Sequence, residues 1–429
     1  MKKLLTWMLA LVMAVSAAGI ALANPYEVTE PITIQWWHAH EEQLTPYLMY
    51  MVDRFNAEHP YVTVEPVYIG NYDTIKTQLI AAIASGQVPA LATVNSSEPS
   101  YFAEAGIVEV LDPYIEAFNY DIEDFGEGLI LSTSYNGKQV AIPYVISTQV
   151  MYYNKTAAEA EGIEMPKTFA DMDEFLAKAT LFNEDGTTKR WGTVFGGWDY
   201  WYYETMFLNN GVKVINDDGR TTDINSEMSV YITTKMKEWI DKGYAYYAYG
   251  TGASSNMRQK FWDGEAFSVF HTSSLYDTYL ENVAGRFEVG MAWLPGSIDG
   301  TSFKSEVGGA IIVVPEVASQ RQKNAAWQFI MFMTSPEINL YWADKTGYFP
   351  TRQSVQGTPE YEEYLNRKPA MKEIVAMSSW INPRNSHPAY PQIANAWRDA
   401  LNLIFNEDAP IQATLDELAI QIEEILADY

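Results

Sequence analysis

ITIQWWHAHEEQLTPYLMYMVDRFNAEHPYVTVEPVYIG, residues 32–70, decides the fold. Ile32 to Trp37 carries the β-branched and aromatic side chains of a strand. Thr45-Pro46 then opens a helix whose apolar residues, Leu48, Met51, Val52 and Phe55, recur at helical spacing. Tyr61 to Ile69 reads as the next strand. Further on, Asp73 is expected to cap a second helix carrying Ile75, Leu79, Ile80 and Ile83, stopped by Gly86. Ala90 to Val94 forms a third strand, and a short helix follows Pro99. Strand, helix, strand, helix, strand predicts an open parallel α/β sheet with right-handed crossovers. Ligands in such sheets sit beyond the carboxyl ends of the strands. Those ends are Trp37-His38-Ala39-His40, Gly70-Asn71-Tyr72 and Asn95-Ser96-Ser97-Glu98, each offering rings, amides, hydroxyls or carboxylates.

The middle third reads as a second α/β lobe. Thr168 to Asp171 forms a capping box ahead of Phe169, Met172, Phe175, Leu176 and Ala179. Ser226 caps a helix with Val230, Met236, Trp239 and Ile240, closed by Gly243, and a C-terminal helix is expected from Thr414, with Leu415, Leu418, Ile422 and Ile425. Two extended runs, Ala141 to Val150 and Glu306 to Val314, are expected to cross between the lobes. No repeat or low-complexity linker separates them. The segment GGWDYWYYETMF, residues 196–207, packs Trp198, Tyr200, Trp201, Tyr202 and Tyr203 into six positions, which neither a strand nor a helix period explains. Some of these rings are expected to pack within their own lobe and about two to face a cleft.

The first residues and the composition narrow the function. Lys2 and Lys3 precede an apolar run, Leu4 to Leu22, ending in Ala21-Leu22-Ala23, the pattern of a secretory signal cleaved after Ala23. An uncleaved membrane anchor is the other reading of that run. There is no cysteine, so the chain relies on its core and lacks the attachment site of a tethered lipoprotein. That combination favours a bacterial periplasm. The 28 basic and 55 acidic residues give a formal charge of −27, and losing Lys2 and Lys3 takes it to −29. Such a field repels nucleic acid and anionic lipid. No Gly-x-Ser-x-Gly elbow, phosphate loop or nucleophilic cysteine is present. A glycoside hydrolase would need two carboxylates roughly 5–9 Å apart. Glu98, Asp199 and Glu204 are available, but nothing in the sequence pairs them. His38 and His40, with Glu41 and Glu42 beside them, have the look of a metal site but lack a third and fourth ligand set, so no metal and no cofactor are expected.

Six stretches occur in one order: Gln35-Trp36-Trp37-His38, Phe55 to Pro60, Gly70-Asn71-Tyr72, Val150 to Lys155, Gly308-Gly309-Ala310 and Lys345 to Pro350. Together they resemble the family 1 extracellular solute-binding proteins of ABC importers, in particular the glycerol-3-phosphate and carbohydrate-binding branch. The resemblance spans essentially the whole mature chain. It implies an α/β, two-lobe periplasmic-binding-protein fold, with hinged lobes and an interlobe ligand cleft. Lobe 1 would comprise 24–144 plus 312–349, and lobe 2 would comprise 145–311 plus 350–429. The family's binding positions fall on Tyr72, on Ser96 (where that branch prefers a carboxylate, with Glu98 two positions on), on Ser147, on Trp198 and Trp201, on Ser273 or Ser274, on Gly308 or Gly309, and on Gly347-Tyr348.

One position departs from the family pattern. Glycerol-phosphate binders place an arginine after Pro-Gln-Ile, whereas Pro391-Gln392-Ile393 is followed by Ala394, with Arg384 and Arg398 as substitutes. A phosphate in a dry cleft needs a paired cation, so a neutral mono- or oligosaccharide is the expected ligand, and glycerol-3-phosphate or a glycerophosphodiester the alternative. The expected site comprises those family positions with Trp37, His38 and Arg384, and with Asp199 bonding ring hydroxyls. The expected protein is a periplasmic, monomeric receptor, not an enzyme, that delivers its sugar to membrane permease subunits and binds no nucleic acid.

Overall fold

The computed structural model describes residues 24–40, 42–377 and 380–429. Residues 1–23, where the signal is expected, and Glu41, Ser378 and Ser379 lie outside them. The chain begins with β1 (Ile32–His38), α1 (Thr45–Glu58), β2 (Val62–Tyr68), α2 (Tyr72–Ser85) and β3 (Leu91–Asn95). Strand β1 pairs in parallel with β2 on one side and β3 on the other, as the alternating pattern predicts. Period-two alternation sets its faces. Ile34 and Trp36 point into one core against Leu48, Met51, Val52 and Phe55 of α1. Trp37 faces the opposite core with Ile75 and Leu79 of α2. The Trp36 indole N–H donates to Thr93 Oγ1 at 2.8 Å, so its one polar atom is satisfied inside.

The ends of the helices follow local chemistry. Asn71, not Asp73, caps α2: its side chain accepts from Thr74 N at 2.9 Å, which places Asp73 in the first turn. Asn71 is extended, as an N-cap residue must be, while Asp73 is already helical. Gly86 closes the same helix in the left-handed region, φ 70°. The capping box at Thr168 and Asp171 is present, and Ser226 caps its helix by accepting from Ser229 N. The last helix starts at Ile411 rather than Thr414 because Pro410 precedes it, and Thr414 is buried inside its first turn.

Beyond β3 come β4 (Ile142–Asn154), β5 (Thr188–Gly196), α3 (Trp201–Asn209), β6 (Ala245–Ala248), β7 (Ala266–Thr272), β8 (Val289–Ala292), β9 (Ser305–Val313), α4 (Pro336–Lys345) and α5 (Tyr390–Glu407). Strands β4 and β9 are the two extended runs, and they pair antiparallel with each other. The end of β9 also pairs with β3, whereas the end of β4 pairs with β7 and β8. Strands β5, β6 and β7 run parallel. One continuous hydrogen-bonded ladder therefore links two separate cores through β4 and β9. The pairing slips by one residue at Ala310/Ile311, which sit opposite Val145 and Pro143 and leave Tyr144 as the odd residue of the bulge.

Candidate ligand-binding cleft

The walls of a cavity of about 580 Å³ come from both cores. His40, Tyr47, Tyr72 and Tyr348 stand on the side of β1 and α1; Tyr202, His271 and Ser274 stand opposite. Tyr72 begins α2 directly after its Asn71 cap, so the turn that starts the helix also aims the ring into the cavity. Tyr202 stacks on His271 at 5.3 Å and 22°. Three of the cations at the rim are already paired. Lys345 and Arg367 share Asp344 at 3.2 and 2.8 Å, and Lys368 holds Asp277 at 2.6 Å. The histidines are neutral: burial lowers His38 to about 4, and burial with the neighbouring His38 lowers His40 to about 3.

The strand crossing lies next to this cavity. Ser147 on β4 faces Gly308 on β9, and Ser96 N donates to Gly309 O at 3.2 Å. The Trp201 indole lies directly over Gly308; a Cβ there would sit 2.4 Å from its ring. Gly309 adopts φ +96°, and its Cβ would fall 2.0 Å from the Val145 carbonyl oxygen, so both glycines are demanded by close approach. Ser273 Oγ accepts from Thr148 N at 3.2 Å, and Ser274 Oγ shares a hydrogen with Thr272 Oγ1 at 2.9 Å. Ser96, Ser147, Trp201, Gly308 and Gly309 thus meet at the crossing, and Tyr72, Ser274 and Tyr348 meet at the cavity.

The remaining expected residues stand elsewhere. Trp37 is half-buried in its own core on the far face of β1. His38 packs on Trp36 and Tyr68 and accepts from His40 N. Trp198 folds back over Gly196 and rests on Tyr202 at 5.0 Å. Asp199 accepts from Trp201 N at 3.0 Å, which orients the start of α3. Glu98 is buried against Lys76 at 2.7 Å; burial pushes its carboxyl up and the lysine opposes that.

Arg384 packs against both the Tyr200 and Tyr390 rings, donates to Tyr200 Oη at 2.6 Å and stands 3.9 Å from Glu204. Tyr390 Oη donates to Glu204 Oε1 at 2.5 Å. Glu204 and Glu306 are neighbours, and burial pushes both carboxyls up from the ordinary carboxylate range. Arg398 sits on the surface of α5 with Asp399 and Asn395. Among the described residues no group of three or more histidine or acidic side chains is arranged to hold a metal ion.

Sequence reasoning missed Tyr47, His271 and the Glu204–Glu306 contact. The first two carry no local signal beyond being aromatic. The third joins positions about a hundred residues apart, and only the register of β9 against α3 brings them together.

A family model described as bacterial extracellular solute-binding protein matches residues 50–372. The sn-glycerol-3-phosphate-binding periplasmic protein UgpB of Escherichia coli O1:K1 / APEC is 27% identical over 368 residues, covering 82% of this chain and 81% of that one. The crystal structure of UgpB from Mycobacterium tuberculosis in complex with glycerophosphocholine superposes with a TM-score of 0.83 at 22% identity, covering 92% of this chain and 99% of that one. The ABC substrate-binding protein Lmo0181 from Listeria monocytogenes, in complex with cycloalternan, gives 0.80 at 21%, covering 93% and 100%.

Proposed function

This chain belongs to the bacterial extracellular solute-binding proteins, the receptor components of ABC importers, and from that premise we propose that it captures a neutral mono- or oligosaccharide in the cavity between its two cores. One observation carries the choice of ligand. Four tyrosines, Tyr47, Tyr72, Tyr202 and Tyr348, line the cavity, while Lys345, Arg367 and Lys368 are already engaged by carboxylates. Aromatic rings cover the apolar faces of a pyranose at ~25 cal/mol per Å² removed from water. Each ring hydroxyl that gains a partner adds ~0.5–1.5 kcal/mol. A phosphate dianion would need a cation that no carboxylate engages, and of the lining cations only Arg258, which donates to the Ser254 carbonyl and lies over the Trp262 ring, has no ion pair among the described residues.

Glycerol-3-phosphate or a glycerophosphodiester is the second reading, favoured by the likeness to the Escherichia coli protein. Against it, Ala394 is buried in a lobe core where the resembled binders carry arginine, and Arg384 is buried against Tyr200 and Tyr390 beside Glu204. A glycoside hydrolase is the third. Glu204 and Glu306 are buried, 4% exposed each, and neither lines the cavity, whereas hydrolysis needs carboxylates roughly 5–9.5 Å apart with the sugar between them. The reading is therefore binding without chemistry.

In this reading lobe 1 comprises 24–144 plus 312–349, and lobe 2 comprises 145–311 plus 350–429. Support comes from the cores. The switch between cores falls within a few residues of these bounds: Val150, Leu294 and Tyr348 pack with the core of their own lobe, whereas Val145 and Ala310 pack with the first core and Phe349 with the second, across the bounds. The leader is cut after Ala23, the mature monomer works in the periplasm, and membrane permease subunits receive the closed form.

The test is a panel of maltose, maltotriose, trehalose, lactose, sucrose, sn-glycerol 3-phosphate and glycerophosphocholine, followed by tryptophan emission and unfolding midpoint. At a hundred times its dissociation constant a bound sugar adds ~2.7 kcal/mol of stability. At least one neutral sugar is expected to raise the midpoint and shift the emission, with no reducing ends released over hours. A response confined to the two phosphorylated glycerols would overturn the reading.

A further inference from the structure

The mouth of the cavity lies over the ends of two helices of the first core. Its exposed lining residues include Gln43, just before α1, and Lys345, the last residue of α4, with Leu280 and Glu281 across the opening. Tyr47 stands in the first turn of α1 and Asp344 in the last turn of α4, and both line the cavity. From there the two helices run outwards, packed against each other. Residues three apart on a helix are neighbours on its surface. One turn out from Tyr47 comes Tyr50, and one turn out from Asp344 comes Tyr341. These two rings meet, with centroids 4.6 Å apart at 33°. Tyr50 is 48% exposed and Tyr341 is half-buried. Tyr47, Tyr50 and Tyr341 therefore form an aromatic strip that starts inside the cavity and continues onto the surface beside its mouth.

The core does not need Tyr50. Leu48, Met51, Val52 and Phe55 already bury the inner face of α1, and Ile338, Trp342 and Ala343 bury that of α4. A single exposed ring is ordinary. Two that touch each other and continue the wall of a cavity make a patch onto which a ligand can extend. A ligand held wholly inside the cavity would not reach Tyr50, which does not line it. The electrostatics select a neutral occupant. Arg54, one turn beyond Tyr50, is engaged by Glu58 and Glu337, and the chain carries a formal charge of −27. A phenol offers a flat apolar face with a polar tip. That combination matches a pyranose, with its C–H face and its rim of hydroxyls.

We infer that the ligand is a linear oligosaccharide longer than the cavity, and that Tyr50 and Tyr341 carry its outer residues as an external subsite at the mouth. This rests on the saccharide reading above and narrows it from any neutral sugar to a chain of several residues. The strip adds affinity with length, because each further residue covers apolar ring surface that otherwise faces water.

Calorimetric titration of wild type, Tyr50→Ala, Tyr341→Ala and Tyr50→Phe tests it with three series: maltose to maltopentaose, cellobiose to cellopentaose, and sucrose, raffinose and stachyose. In at least one series wild type is expected to gain roughly three- to tenfold in affinity on lengthening. Both alanine variants are expected to bind the shortest member of that series within a factor of two of wild type and to lose the gain. Tyr50→Phe keeps the ring and is expected to keep the gain. If wild type binds a neutral sugar but gains nothing from added residues, or if both alanine variants keep the whole gain, the strip is surface packing only; the inference then falls while the saccharide reading stands. If wild type binds no neutral sugar, the saccharide reading falls first and takes this inference with it.

Discussion

At the scale of single residues, Glu306 carries the sharpest consequence of burial. It stands on β9 two positions before Gly308, hence on the face that meets α3, and its carboxyl is 4% exposed beside Glu204. Burial, then Glu204, push its pKa up, so the folded protein holds a proton there. Arg384 opposes this, Asp199 adds to it, and Tyr390 donates to Glu204 from the other side. In the unfolded chain the same group titrates near ~4.3. Below that pH both states are protonated and the pair has no net effect. As pH rises past it, the unfolded state binds fewer protons than the folded one, and stability falls. Glu306→Gln removes the requirement for the proton. Its urea midpoint is expected to match wild type near pH 4 and to exceed it increasingly towards pH 7. A constant difference across that range would show that the carboxyl is ionised in the fold. None of this was legible beforehand, because the partner of Glu306 lies far off in the chain and no composition rule pairs them.

At the scale of elements, much was legible. The period of two along Ile32–His38 and the helical stripe from Leu48 to Phe55 are local patterns, and each buried the face it declared. The two long runs were recognisable as extended because they lacked helical periodicity and carried apolar stretches, Ala141 to Ile146 and Val307 to Val314. What the pattern left out was register. The slip at Ala310/Ile311 is one residue of pairing between segments far apart in sequence, and apolar runs buried on both faces carry no alternation to fix it. Caps erred by a residue or two for a related reason: Asn71 and Asp73 are both good N-caps, and only the turn conformation chooses. The paired glycines on β9 make a separable prediction. At Gly309 an added Cβ meets backbone, the Val145 carbonyl, at positive φ, so Gly309→Ala is expected to cost ~2 kcal/mol or more of stability. At Gly308 it meets the Trp201 ring, which can swing. Gly308→Ala is therefore expected to shift tryptophan emission and weaken sugar binding, with a smaller loss of stability. Denaturant unfolding followed by circular dichroism, alongside emission spectra, separates the two; equal destabilisation by both would contradict this account of the crossing.

At the scale of the whole molecule, the two cores are joined by β4, β9 and the Tyr348–Phe349 step, and the cavity walls are split between them. A ligand that touches both walls makes its full set of contacts only when they are close together, so its differential affinity for that state sets how far it can shift the equilibrium. Turning a population from 1:99 to 99:1 requires roughly 10⁴-fold tighter binding to the favoured state, about 5.5 kcal/mol. A handful of hydroxyl contacts at ~0.5–1.5 kcal/mol each is of that order. The chain contains no cysteine, so a pair of spin labels can be placed without background. Asp73, exposed in the first turn of α2, and Asn282, exposed on the opposite side of the cleft, flank the cavity next to Tyr72 and Glu281. Neither lines it, so labelling at Asp73→Cys and Asn282→Cys is expected to leave sugar affinity within a factor of two. Electron–electron distance measurements are expected to show a longer or broader separation without sugar and a single shorter one at saturation. With a sugar that binds weakly, both populations are expected in proportion to occupancy. Identical distance distributions with and without a saturating sugar would mean that the lobes do not move on binding, and the strand crossing would then be a rigid brace rather than a hinge.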